Sequence, residues 1–269
     1  MARPSSTVIL ARPAPFIAGG QGFQVFMVRR PVKSEFAADV YVFPGGALRP
    51  DDLDPEIDAL CRPFDPTQAL RLLGERGGTP PSSAREAQGL WVAALRELYE
   101  EAGVLLAEPL DDHRTAGDAE ARTQRITAAR NAVQSGAQSL AALLRQERLR
   151  PACEQLVYFS HWITPRPYPR RFDTRFFLAL MPNEQEALHC EVETVASAWV
   201  TPQQALAGFA DGTFPLVFPT QRHLERIAHI TTWEELERFA RSKPIRTVEV
   251  EAFREGGLPC LPEGLEGCW

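Results

Sequence analysis

The chain has 269 residues, 44% of them hydrophobic, and a formal net charge of −6. That length and apolar content can bury a substantial core and suit one large domain, 1–269, carrying elaborations. The negative balance argues against a general nucleic-acid-binding surface, and no apolar stretch approaches the ~18 residues that a membrane helix needs.

Residues 6–10 and 23–29 are apolar and β-branched or aromatic, and Gly19, Gly20 and Gly22 lie between them. This pattern predicts two strands joined by a glycine turn. A third strand, 40–43, runs into Pro44-Gly45-Gly46. Residues 47–82 are rich in Pro and Asp, with a short helical pattern only near 67–73, and read as a surface insertion, either a lid or a dimer contact. A homodimer is therefore left open. A strong helix follows over about 83–102, with Ser82 or Ser83 as its cap, Glu86 in its first turn, and Gly103 placed to end it. Leu90, Ala94, Leu98 and Ala102 share its inward face. Residues 107–151 form a helical elaboration, with one or two helices over 118–149 broken near Gly136. Strands are expected at 156–163, 171–180 and 196–200, and a helix begins near Thr201-Pro202. The C-terminal extension, 226–269, carries a helix from about Trp233 to Arg241 and a strand at 247–253. Interleaved strands and helices imply an α/β or α+β sandwich.

The five cysteines, Cys61, Cys153, Cys190, Cys260 and Cys268, form no Cys-x-x-Cys pair and are widely spaced. They read as reduced thiols in a cytoplasm rather than as a disulfide framework or a zinc site. The short apolar run at 8–11 is cut off by Arg12 and Pro13 and is not a signal peptide. The final Gly-Cys-Trp matches neither a prenylation signal nor a peroxisomal tripeptide. A cytoplasmic location is expected.

Residues 96–104 read Arg-Glu-Leu-Tyr-Glu-Glu-Ala-Gly-Val. On a helix, Glu97, Glu100 and Glu101 come to one face and repel one another unless something neutralises them. An oxygen-preferring divalent cation does that. Gly45 and Gly46 allow close backbone approach to a ligand or metal, and a carbonyl there can add an oxygen ligand. Arg96 can hold a neighbouring carboxylate through a charge-assisted bond.

These nine residues match the second half of the Nudix box, and Phe43-Pro44-Gly45-Gly46 resembles its beginning. The resemblance departs from the usual box in two ways. Residues 47–87 intervene between the second glycine and the position of the first glutamate, and Gln88 stands at that position. Glu86 is off register, about 16 Å from Glu97 along a straight helix, so both are left out of the metal shell. The split box resembles the coenzyme A diphosphatase branch found in peroxisomes and its bacterial relatives. So do His161-Trp162-Ile163-Thr164-Pro165, the run 171–177, Trp199-Val200-Thr201-Pro202 and Phe218-Pro219-Thr220.

The resemblance implies a Nudix-type α/β/α sandwich with a mixed sheet, the 47–82 insertion inside the box, and extra helices. It also implies Mg²⁺- or Mn²⁺-dependent hydrolysis of a small nucleotide substrate, coenzyme A or acyl-coenzyme A, to 3′,5′-ADP and (acyl-)4′-phosphopantetheine. The metal ligands would be Glu97, Glu100, Glu101 and Gly46. Arg96, Glu97 and Glu100 are the candidate catalytic residues, with Glu97, Glu191 or Glu193 as general base. Arg175, Arg171 and Gly45 are the candidates for substrate binding. A diphosphatase for ADP-ribose or another nucleotide, and a Nudix-fold binding module without turnover, are the alternatives. His161 is expected to be packed, and His223 and His229 to lie at the surface or at helix ends.

Overall fold

The computed structural model describes residues 1–14, 22–33, 38–110, 116–166, 168–190, 194–249, 260–265 and 269, with the backbone alone for 116–119. In chain order the elements are β1 (Arg3–Pro13), β2 (Phe23–Arg29), β3 (Tyr41–Val42), β4 (Gly45–Ala47), α1 (Pro55–Cys61), α2 (Pro66–Gly74), α3 (Ala84–Ala102), β5 (Ala107–Pro109) and α4 (Ala116–Gln134). There follow α5 (Leu140–Gln146), β6 (Leu149–Pro151), β7 (Val157–Ile163), β8 (Phe172–Leu180), β9 (Ala196–Val200), α6 (Pro202–Ala210), α7 (Phe218–Ile227), α8 (Trp233–Ser242) and β10 (Thr247–Glu249).

Among the described residues, eight strands form one mixed sheet in the order β10-β7-β8-β1-β2-β3, with β4 paired to β1 and β9 to β2. Strand β1 is parallel to β8 and antiparallel to β2 and β4. Its side chains alternate with the period of two that a pleated strand imposes. Val8 and Leu10 enter the core under α3, while Ile9 and Ala11 enter the core under α7 and α8. Strands β2 and β8 repeat the split, with Phe26, Val28, Phe177 and Ala179 on the α3 side and Val25, Met27, Phe176 and Leu178 on the other. The sheet therefore lies between two helical layers, the expected α/β/α sandwich.

Helix α3 is capped by Ser83, whose hydroxyl accepts from Glu86 N, and ends at Gly103 in the left-handed region at φ +72°. Leu90, Ala94, Leu98 and Ala102 all lie in the core. Every residue of α3 from Ala87 to Ala102 is buried, because helices cover it on the side away from the sheet as well.

That cover is the insertion, and here the structure departs from the surface lid expected. Residues 47–82 hold a 3₁₀ turn (Pro50–Leu53), α1 and α2. Ile57, Cys61, Phe64, Ala69 and Leu73 enter the α3-side core. The Pro and Asp content that reads as loop is helix-start chemistry. Asp54 accepts from Glu56 N and Asp65 from Gln68 N, each with a proline just inside the helix, where the missing N–H costs nothing. The insertion's apolar side chains are covered within the chain, so neither a closing lid nor a dimer contact is needed to bury them.

Helix α7 was not anticipated either. Pro219 sits in its first turn, a permitted position that reads from sequence as a break. The predicted pair of helices at 118–149 appears as α4 and α5, with Gly136 between them at φ +75°. The tail strand is described only as Thr247–Glu249; its continuation over 250–253, like Gly19 and Gly20 of the glycine turn, lies outside the described residues.

His161 is packed as expected, fully buried and bonded to Asp173 and Thr247. His223 is also fully buried, against the surface reading, among Phe43, Phe159, Trp162, Phe176 and Trp269. Its Nδ1–H donates to Pro219 O at 2.6 Å, so Nε2 accepts from the Ser160 hydroxyl at 2.5 Å. His229 is exposed, just beyond the end of α7.

Burial holds the His223 pKa down, from the ordinary 6.5 of a histidine to about 3. The folded state thus binds this proton less well than the unfolded chain. The stability the neutral ring contributes is present in full above pH 6.5 and lost as pH falls from there toward 3. In an NMR titration the His223 ring resonances should not move between pH 8 and 5; a titration within that window contradicts the buried pair with Ser160.

Candidate active site

The C-terminal half of α3 crosses β4, and two of the carboxylates predicted from sequence, Glu97 and Glu101, meet the glycine corner there. Gly45 N–H donates to Glu101 Oε2 at 3.0 Å. A Cβ on Gly46 would lie 2.4 Å from Glu97 Oε1, so only glycine leaves room for that carboxylate. A Cβ on Gly45 would meet Thr7 Oγ1 at 2.4 Å and Ser6 O at 2.6 Å. Close packing on β1 therefore explains Gly45 here, and its N–H is engaged by Glu101.

Arg96 is 2% exposed and binds on every side. Nε and Nη2 grip the two oxygens of Asp52 at 2.8 and 2.9 Å, Nη1 donates to Glu97 Oε1 at 2.7 Å and Glu100 Oε2 at 3.1 Å, and Nη2 also reaches Ala47 O at 3.0 Å. Asp52 is 3% exposed and also accepts from Arg49 N at 2.8 Å. The Arg49 guanidinium forms a fork on Glu100, at 2.8 and 2.9 Å. Arg130 Nε closes the back of the site on Glu100 O at 3.0 Å.

Burial raises the pKa of Glu97, against the opposing pull of Arg96. Burial likewise raises Glu100, to about 7, with Arg96 and Arg49 pulling down and Glu97 pushing up. Four carboxylates thus meet three guanidinium groups: Arg96 and Arg49 bond Asp52, Glu97 and Glu100, and Arg130 interacts electrostatically with Glu101. This surplus of buried negative charge, beside a glycine cradle, is chemically suited to a divalent cation. Glu97, Glu100 and Glu101 are the residues that could hold one. As they stand, however, no three His, Cys, Asp or Glu side chains among the described residues are arranged to hold a metal ion.

The other predicted site residues lie elsewhere. Arg175, 1% exposed, is bound to Asp173 and donates to Thr79 O at 2.9 Å. Arg171 donates to Thr164 O and Glu249 Oε1, both at 2.9 Å. The structure brings neither into contact with the glutamate cluster; their donors tie strand and loop segments together, and the geometry gives no support to the substrate contacts expected of them. Gln88 Nε2 donates to Phe64 O, fixing the insertion on α3, and Glu86 bonds Ser82, so both stay out of the metal shell. Glu191 and Glu193 lie outside the described residues. Arg49 and Asp52 were missed, since nothing in the spacing of a Pro/Asp-rich run marks either as facing α3.

The sequence model of the NUDT19 Nudix domain matches residues 2–227. The chain belongs to this Nudix hydrolase family. Among similar proteins, one named acyl-coenzyme A diphosphatase NUDT19 from Xenopus laevis is 23% identical over 248 residues, covering 84% of this chain and 65% of the relative. The human protein of that name is 25% identical over 276 residues, covering 92% of this chain and 70% of the relative. A crystal structure of a Nudix hydrolase from Alicyclobacillus acidocaldarius superposes with a TM-score of 0.61 at 25% identity, covering 87% of this chain and 94% of that one. The chain thus carries the Nudix fold while spanning just under two thirds of the Xenopus relative's length. No helix among the described residues is long and apolar enough to cross a membrane.

Asp52 is the buried partner that fixes Arg96, and removing it leaves a guanidinium without its fork. Asp52→Ala should lower the unfolding free energy by about 3–5 kcal/mol in denaturant titrations. A loss below about 1 kcal/mol, the scale of an exposed pair, contradicts this role.

Proposed function

We propose that the protein is a divalent-metal-dependent diphosphatase that cleaves coenzyme A or acyl-coenzyme A to 3′,5′-ADP and (acyl-)4′-phosphopantetheine. The observation that carries this reading is the meeting of Glu97 and Glu101 with the Gly45–Gly46 corner, with Glu100 tied to Glu97 through Arg96, in a chain of the NUDT19 Nudix family. The names of the Xenopus and human relatives supply the substrate class.

Glu97, Glu100 and Glu101 would hold the cation, with the Gly46 backbone as a further oxygen donor. Mg²⁺ or Mn²⁺ would supply charge neutralisation of the diphosphate and a lowered pKa for the attacking water. Arg96 orients Glu97 and Glu100 from behind, because one nitrogen bonds both carboxylates. Glu97, raised in pKa by burial, is the candidate base within the described residues. The substrate is a small nucleotide, and no nucleic-acid partner is invoked. A cytoplasmic setting belongs to the same proposal and agrees with the free buried thiols Cys61, Cys153 and Cys190.

The protein should be incubated with Mg²⁺ or Mn²⁺ and a panel of coenzyme A, acyl-coenzyme A, ADP-ribose and NADH, with products identified by mass. The expected products are 3′,5′-ADP and a phosphopantetheine; preference for ADP-ribose overturns the substrate assignment, and binding without any product overturns catalysis. Glu100→Gln should cut turnover by more than the roughly 10–100-fold that loss of an outer partner costs a metal site. Near-wild-type turnover would remove Glu100 from the metal shell.

A further inference from the structure

We propose that Arg49 is a built-in counter-ion that Glu100 exchanges for the divalent cation, and that the released guanidinium then takes the phosphate oxygens of the substrate. This rests on the metal-dependent reading above and assigns the exchange to a residue of the insertion.

The two arginines at the site are held very differently. Arg96 is locked by Asp52, Glu97, Glu100 and Ala47 O, with a side chain 3% exposed. The Arg49 side chain is 35% exposed, and the carboxylate it binds is completely buried. Arg49 Nη1 and Nη2 take Glu100 Oε1 and Oε2 respectively. While that fork is closed, both Glu100 oxygens are directed at Arg49, and the carboxylates are not arranged to hold an ion together. The cation and the Arg49 guanidinium therefore compete for one carboxylate.

Arg49 is also placed to leave. Its backbone N–H is pinned by Asp52 Oδ2 at 2.8 Å, so the chain stays fixed while the side chain can rotate toward solvent. The Arg49 guanidinium reaches water and Glu100 keeps its bond to Arg96, so the fork can open once a cation takes over the buried carboxylate. A planar guanidinium fork fits a phosphate as well as it fits a carboxylate. When cation and diphosphate arrive together, the cation replaces Arg49 on Glu100 and the phosphate replaces Glu100 on Arg49. Each charge keeps a partner, and the two ligands assist one another.

The test is Mn²⁺ binding by calorimetry, without substrate, to the wild-type chain and to Arg49→Met, with folding checked by circular dichroism. The variant is expected to bind Mn²⁺ roughly tenfold more tightly, the scale of one lost charge-assisted bond, and to show a raised KM for coenzyme A. Arg49→Lys keeps the charge without the fork and should tighten Mn²⁺ binding in the same direction by a smaller factor; it decides the matter if Arg49→Met does not fold. Equal or weaker Mn²⁺ binding in the folded variants, with wild type binding normally, overturns the exchange and leaves the metal-dependent reading intact. Tighter Mn²⁺ binding with an unchanged KM overturns the phosphate contact. Absence of Mn²⁺ binding in wild type and variants alike overturns the metal-dependent reading, and the exchange with it.

Discussion

The site depends on one buried guanidinium. Arg96 lies in the middle of α3 and is surrounded by acids from two directions: Glu97 and Glu100 from its own helix, and Asp52 from the insertion. Three carboxylates crowded at one helix end would otherwise repel and splay toward water. A buried charge costs several kcal/mol unless it is paired and hydrogen-bonded throughout, and Arg96 meets that condition through Asp52 and the Ala47 carbonyl. Two of the five Arg96 bonds fix Glu97 and Glu100, and the other three fasten the insertion to the helix.

The insertion is therefore part of the site's foundation. Its first residues supply Arg49 and Asp52, its helices cover the outer face of α3, and Gln88, standing where a further glutamate would be expected, holds the Phe64 carbonyl. A long segment between the glycine corner and the glutamate helix is compatible with the Nudix site because α1 and α2 bring apolar side chains of their own. Substitution in that segment should be felt at the carboxylates, through Asp52, and not only in the local packing.

Much of this was legible in the sequence, for physical reasons. Apolar runs of β-branched and aromatic residues revealed β1 and β2, and the stripe Leu90, Ala94, Leu98, Ala102 revealed the buried face of α3. Ser82 or Ser83 and Gly103 marked its ends by capping chemistry alone, and Ser83 proves to be the cap. Helices α1 and α7 were hidden because proline within a first turn looks like a break. Asp52 and Arg49 were hidden because their partners lie more than forty residues away in sequence, and local spacing carries no record of such contacts. Arg175 and Arg171 stood out as a basic stretch, but charge pattern alone did not reveal the acceptors that occupy them.

The proposed function requires Glu97, Glu100 and Glu101 to gather one divalent ion beside Gly45 and Gly46. Anomalous scattering from a crystal soaked in Mn²⁺ tests it directly. The expected result is a peak within coordination distance of carboxylate oxygens of these three residues, with the Arg49 guanidinium withdrawn from Glu100. Manganese bound elsewhere, with the three glutamates still held by Arg96, Arg49 and the Gly45 N–H, would contradict it.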